Sequence, residues 1–188
     1  MTLSQKMRVV VIADDDSLVG KMMNVSADVL MSVGDLWDST IATAQERYNC
    51  GAVVAVKGNH DSAAPFAEEI DELHLQVVEH HGIRFGGFGG SWKYKPRGHH
   101  MFEQSEVDEA LRSFPAVDVF VAHNSPAGYH ERDIDVHQGF EAFTEYIDRT
   151  NPSYFIHGHQ HINEISMRKE TLIIGVFGEA VINLPSKR

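Results

Sequence analysis

The sequence predicts an α/β fold, most simply two β-sheets held between helices. Short runs rich in Val, Ile and Phe alternate with longer amphipathic segments, and polar residues of chemical interest follow those runs. At 188 residues, 43% hydrophobic and 23% charged, the chain matches an ordinary soluble domain, expected as a single unit over residues 1–188. This composition excludes disordered, fibrous and disulfide-stapled classes.

Met7–Ala13, Val29–Val33, Ala52–Lys57, Val117–Ala122 and Tyr154–His157 suit strands buried on both faces. Thr40–Tyr48, Ser105–Ser113 and Gly139–Arg149 read as helices, the last with Phe140, Phe143 and Ile147 at helical spacing. Ser105 with Asp108 and Glu109 marks a helix start, and Pro115 and Pro152 fall where helices should stop. Leu75–Val78 and Ile83–Phe88 flank His80-His81-Gly82, a hairpin pattern. Ile162–Met167, Leu172–Val176 and Val181–Leu184 read as an antiparallel meander. The cluster Gly86–Gly90 lacks the strand–GxGxxG–helix context of a dinucleotide site.

Sixteen Lys and Arg against 27 Asp and Glu give a net charge of −11, which argues against long nucleic acid or anionic membrane held by charge. The lone Cys50 has no partner for an intrachain disulfide. Val9–Ala13 is too short for a secretory apolar core, and no stretch approaches the roughly 20 residues of a membrane span. A cytoplasmic protein without a membrane partner is expected; a homo-oligomer stays open. The 12 histidines are the compositional outlier.

Five predicted strands deliver polar residues at their carboxyl ends, where ligands bind in such sheets. Asp14 and Asp16 follow the first, Asp35 and Asp38 the second, and Asn59, His60 and Asp61 the third. His123 and Asn124 follow the fourth; His157, His159 and His161 end the fifth. Two residues apart on extended backbone, Asp14 and Asp16 would point to the same side, as would His159 and His161. Carboxylate, amide and imidazole together suit Mn²⁺, Fe²⁺ or Zn²⁺, and the absence of thiolate clusters argues against structural zinc. Read singly, these segments are a charged turn, a helix cap at Asp38 or Ser39, another turn, and a core histidine. Their joint occurrence in this order favours a metal site.

In that order the segments Asp14-Asp15-Asp16, Gly34-Asp35-Leu36-Trp37-Asp38, Gly58-Asn59-His60-Asp61, Ala122-His123 and Gly158-His159-Gln160-His161 resemble the calcineurin-like metallophosphoesterases. The stretch from His123 through Ser125-Pro126, Gly128 and Asp133 to Gly139–Ile147 resembles the small phosphohydrolases and phosphodiesterases of that superfamily. The resemblance implies a four-layer α/β/β/α sandwich of two mixed sheets flanked by helices, and a pair of divalent ions. One ion would take Asp14, Asp16 and His161, the other Asn59, His123 and His159, with Asp35 bridging. A metal-bridging hydroxide would attack a phosphomonoester or phosphodiester. His60 would stabilise the transition state or protonate the leaving oxygen, with Asp38 orienting its ring, and Asp61 would be a local structural partner. Two ions supply +4 against three carboxylates, so the site would stay positive despite the −11 of the chain.

Asp16 departs from the Asp-x-His of the family and predicts harder ions, Mn²⁺ or Fe²⁺ before Zn²⁺. The loop Ser91–Met101, with Trp92, Lys93, Tyr94, Lys95 and Arg97, is placed to overhang the site; Trp92, Lys93, Arg97 and Asn124 are candidate contacts to a small phosphate ester. His99, His100, His130, Arg132 and His137 are rim candidates, whereas His74, His80 and His81 read as surface. Two other functions compete: a catalytically weak scaffold for protein interaction, and a nuclease on short nucleic acid.

Overall fold

The structure is a computed structural model that describes residues 6–132 and 135–185; Asp133 lies outside the described residues. One sheet has the spatial order β13 (Gly178–Pro185), β1 (Lys6–Ala13), β2 (Val29–Ser32), β3 (Ala52–Ala55) and β4 (Ile70–Glu72). The other runs β11 (Glu164–Arg168), β12 (Thr171–Gly175), β10 (Tyr154–His157), β9 (Val119–Ala122), β6 (Ile83–Phe88) and β5 (Val77–His80). A small ribbon joins β7 (Ser91–Trp92) to β8 (Met101–Phe102). The α-helices are α1 (Asp38–Tyr48), α2 (Gln104–Leu111) and α3 (Glu141–Thr150).

Strand periodicity sorts the apolar side chains into layers. On β1, Val9, Val11 and Ala13 join Met31, Val54, Phe85, Val121 and Ile156 between the sheets. Val10 and Ile12 face the other way, with Leu30 and Val53, onto Ile41, Ala44 and Tyr48 of α1. Phe120, Phe155 and Ile173 of the second sheet meet Val107 and Leu111 of α2 and Phe143, Tyr146 and Ile147 of α3. The result is the expected four-layer α/β/β/α sandwich. Each fully buried Phe or Ile contributes roughly 1.5–3 kcal/mol of transfer free energy.

The chain end departs from the meander. β11 and β12 are antiparallel neighbours, but β13 crosses to the other sheet and pairs antiparallel with β1, Val9 opposite Ile182. There Ala180 and Ile182 pack on the inter-sheet core and Leu184 is buried, which a third meander strand would not achieve. β4, β7 and β8, too short for a periodic signal, were not expected. His74, expected at the surface, is half-buried between Phe88 and Phe102.

Parallel pairing positions the site. β1–β2, β2–β3, β6–β9 and β9–β10 are all parallel, so their carboxyl ends share one edge of the molecule. Among the described residues no helix is long and apolar enough to cross a membrane.

Candidate metal centre

At that edge the backbone leaves strand geometry. Asp14, Asp35, His159 and His161 all have positive φ, between 52° and 62°. A non-glycine residue rarely adopts this region, and such strain persists where surrounding contacts hold it. The same turn explains why extended alternation does not govern the two pairs. Asp14 turns inward while Asp16 opens a 3₁₀ turn, Asp16–Gly20. Glycine makes the approach possible: a Cβ on Gly58 would stand 2.1 Å from Asp35 Oδ1, and one on Gly158 2.5 Å from Asp14 Oδ2.

Asp35, His123 and His159 converge, with one ligand atom from each all within 4.8 Å of one another. Asp35 Oδ2 is 3.4 Å and Asn59 Oδ1 3.2 Å from His123 Nε2. His123 donates from Nδ1 to the Val33 carbonyl at 2.8 Å, which aims Nε2 at the cluster. His159 donates from Nε2 to the Val136 carbonyl at 2.9 Å, leaving Nδ1 its lone pair. Asp61 braces the loops, as anticipated for a structural partner. Its Oδ2 accepts from Gly58 N at 2.7 Å and Asp35 N at 3.0 Å, and its Oδ1 from Leu36 N at 3.1 Å.

Electrostatics favour a cation here. Burial alone would raise the Asp35 carboxyl, but His123 and the His60 amide overcome it and hold it well below the usual range. Burial opposes charge on His123, yet Asp35, helped by Asp14, pulls its pKa up to about 10. Burial pushes His159 and His157 down to about 3, so both are neutral.

Beside this cluster, Asp14 accepts from His159 N through Oδ2 at 2.9 Å. Its Oδ1 is buried without a hydrogen-bond partner among the described residues and lies 3.7 Å from His161 Nε2. Contact with Asp14 raises the pKa of His161. An orphaned carboxylate oxygen, imidazoles with fixed tautomers and an amide oxygen fit divalent ions of borderline hardness.

Other expectations are redirected. Asp16 Oδ1 accepts from Trp37 N at 3.0 Å and Thr40 Oγ1 at 2.6 Å, capping α1 from a distance. The physical reason is that α1 has no other side-chain cap: its N-cap is Trp37, and neither Asp38 nor Ser39 serves. Asp15 accepts from Ser17 N and pairs with Lys21 at 3.2 Å. Asp38 lies 3.7 Å from the buried Lys57 ammonium, and among the described residues it makes no hydrogen bond to His60. The His60 amide donates to Asp35 Oδ1 at 2.8 Å while the residue stays exposed.

Asn124, a candidate substrate contact, is bonded within the fold. It is wholly buried, its Nδ2 donating to Gln138 O and its Oδ1 accepting from Ser125 N, so both amide atoms are used within the fold. Trp92 packs on the α2–α3 cluster, Lys93 pairs with Glu103 at 3.3 Å, and Arg97 is exposed. The residue of that loop that reaches the centre is Tyr94, whose hydroxyl accepts from Asn59 Nδ2 at 3.3 Å. His157 is buried, donating from Nδ1 to the Gly158 carbonyl and sharing a proton between Nε2 and His130 Nδ1 at 2.8 Å. Sequence reasoning had no signal for the Val33 and Val136 carbonyls or for Gln160, since backbone acceptors carry no residue code.

Comparison with known proteins decides the family. The model of the calcineurin-like phosphoesterase superfamily domain matches residues 7–183. The chain belongs to this superfamily. No curated protein matches the sequence. Among solved structures, one aligns over 95% of each chain with TM-score 0.66 at 15% identity. TT1561 of Thermus thermophilus aligns at TM-score 0.62 and 13% identity, over 93% of this chain and 90% of its own. Phosphopantetheinyl hydrolase (PptH) of Mycobacterium tuberculosis gives 0.57 and 13%, over 94% and 91%. These likenesses show that the fold is shared.

Proposed function

We propose that the protein is a dinuclear metal-dependent phosphohydrolase acting on a small phosphomonoester or phosphodiester. The observation that carries this reading is the convergence of Asp35, His123 and His159 at the joined carboxyl ends of both sheets. Membership of a superfamily of metal-dependent phosphoesterases supports it, and one protein of similar fold is named a phosphopantetheinyl hydrolase.

One ion would be held by Asn59, His123 and His159, the other by Asp14 and His161, with Asp35 between them. When bound, the pair supplies Lewis acidity to a phosphoryl oxygen and lowers the pKa of water near neutrality. The chain does the positioning. Val33 and Val136 fix the imidazole tautomers, Asp61 fixes the two loops, and Tyr94 steadies the Asn59 amide. His60, exposed beside Asp35, is the group available to a phosphoryl or leaving oxygen. With Asp16 turned to α1, two carboxylates face two divalent ions, a stronger positive excess than three would leave. That balance favours an anionic ester despite the −11 of the chain. Mn²⁺, Fe²⁺ or Zn²⁺ suits a set of carboxylate, amide and imidazole donors, and the preference for harder ions expected from Asp16 lapses once Asp16 is outside the set.

The test is hydrolysis of p-nitrophenyl phosphate and bis-p-nitrophenyl phosphate with Mn²⁺, on wild type and Asp35→Asn. Turnover of either ester, lost by more than about a hundredfold in the variant, is expected, because a ligand should matter more than the outer contacts that tune it. No turnover of either ester by wild type would overturn the enzymatic reading in favour of a scaffold.

A further inference from the structure

The two halves of the centre are unequally supplied. Around His123 three side chains gather; at Asp14 His161 approaches, and Asp16 Oδ1 accepts from the amide of Trp37 and the hydroxyl of Thr40. Another imidazole lies beside this poorer half. His137 ends the short 3₁₀ turn Asp135–His137, with its ring centroid 5.0 Å from that of His159 and 6.4 Å from that of His161. Among the described residues its Nδ1 is buried without a hydrogen-bond partner, as is Asp14 Oδ1. Two orphaned polar atoms in one neighbourhood are costly unless something joins them.

The turn that carries His137 is held by the motif it would serve. His159 Nε2 donates to the Val136 carbonyl at 2.9 Å, and Gln160 Nε2 donates to the His137 carbonyl at 2.9 Å. Gln160 is wholly buried and also bonds Ser125 Oγ at 2.9 Å, so this anchor is part of the core. A ligand placed on a braced turn loses little freedom on binding.

We propose that His137 is a metal ligand, completing with Asp14 and His161 the half of the centre that Asp16 does not serve. The inference rests on the dinuclear reading above and assigns a new residue within it. Nδ1 supplies the lone pair. Asp16 is a positioning residue for α1 and lies outside the ligand set.

The test is calorimetric titration of Mn²⁺ into wild type, His137→Ala and Asp16→Ala, with electron paramagnetic resonance of the loaded proteins. Wild type is expected to take two ions and show the exchange-coupled signal of an Mn²⁺ pair. His137→Ala should weaken one ion by at least about tenfold and lose the coupled signal, leaving the other ion unchanged. Asp16→Ala should keep both ions within about threefold, because a helix cap is remote from the metal bonds. Circular dichroism of the metal-free variants checks folding, and His137→Gln, which keeps a neutral donor atom at that place, takes over if the alanine variant does not fold; it should restore part of the lost affinity or, alone, show a smaller loss. Two ions bound by a folded His137 variant as tightly as by wild type would overturn the His137 assignment and leave the dinuclear reading standing. Loss of an ion in Asp16→Ala but not in His137→Ala would overturn it in favour of Asp16. A wild type that binds fewer than two ions overturns both readings.

Discussion

The buried half of the proposed centre and the open half differ in how each is held. Asp35, His123 and His159 are fixed by amide and carbonyl partners within the fold and Asn59 by the Tyr94 hydroxyl, and His123 and His159 are both buried. The Asp14 side chain is equally buried, but its partner His161 is 48% exposed on its side chain and stacks on Phe177 with ring centroids 4.9 Å apart. A preorganised ligand set binds at little ordering cost, whereas a set closed by an exposed side chain must restrain it first. The first half should therefore bind an ion tightly and the second more weakly.

The largest effect should come from breaking the buried half. His123→Ala removes a ligand and strands the Val33 carbonyl, so Mn²⁺ affinity should fall by more than about a hundredfold and stability by about 1–3 kcal/mol. Mn²⁺ calorimetry and urea unfolding check both, and retained tight binding would show that His123 is only a core histidine. Next comes the brace. Asp61→Asn keeps the shape but loses charge-assisted acceptance from three amides, and about 10–100-fold in affinity for the ion between its loops is expected, with His161 unaffected. Equal weakening of both ions would erase the distinction between the halves.

Protons sharpen the comparison further. His123 is raised to about 10 by Asp35, so without metal it is charged at pH 8, whereas His159, lowered to about 3 by burial, is neutral. Loading the buried half should release about one proton per chain at pH 8, read from calorimetry in buffers of different ionisation enthalpy. The sign for stability follows. The raised His123 stabilises the metal-free fold fully below its unfolded pKa near 6.5, and that part is lost as pH rises through about 10. The lowered Asp35 acts oppositely, its part present above about 3.8 and lost as pH falls through its folded value. Metal-free thermal midpoints that rise from pH 7 to 10 would contradict the His123–Asp35 pair. The smallest effect belongs to Asp16→Ala, about 1 kcal/mol of stability from the lost cap of α1, seen in urea unfolding without metal.

Much of the proposed centre was legible in the residues. Asp14, Asp35, Asn59, His123, His159 and His161 each follow an apolar run, and parallel strands carry such positions to one edge whatever the detail of the loops. The shared side expected of Asp14 and Asp16 does not follow, because spacing of two implies it only on extended backbone and Asp14 has φ 60°. The basic-aromatic loop was visible, but which of its members turns inward was not. Tyr94 reaches Asn59 while Lys93 pairs with Glu103, a choice made by the β7–β8 ribbon. Asn124 followed the right strand yet is consumed by its own loop.

What the residues determined by themselves is the layering and the chemistry. Apolar alternation sets which face of each strand is buried, and motif order selects carboxylate, amide and imidazole for the edge. Tertiary structure alone decided which hydrogen bonds those groups make. α1 drew Asp16 away because helix amides at an N-terminus need an acceptor, and the nearest one came from the turn after β1. The same packing set His137 beside His159 and His161, across a sequence gap that no periodicity spans. Hydrogen-bond demand acts through space, and only the folded chain settles where each polar atom meets its partner.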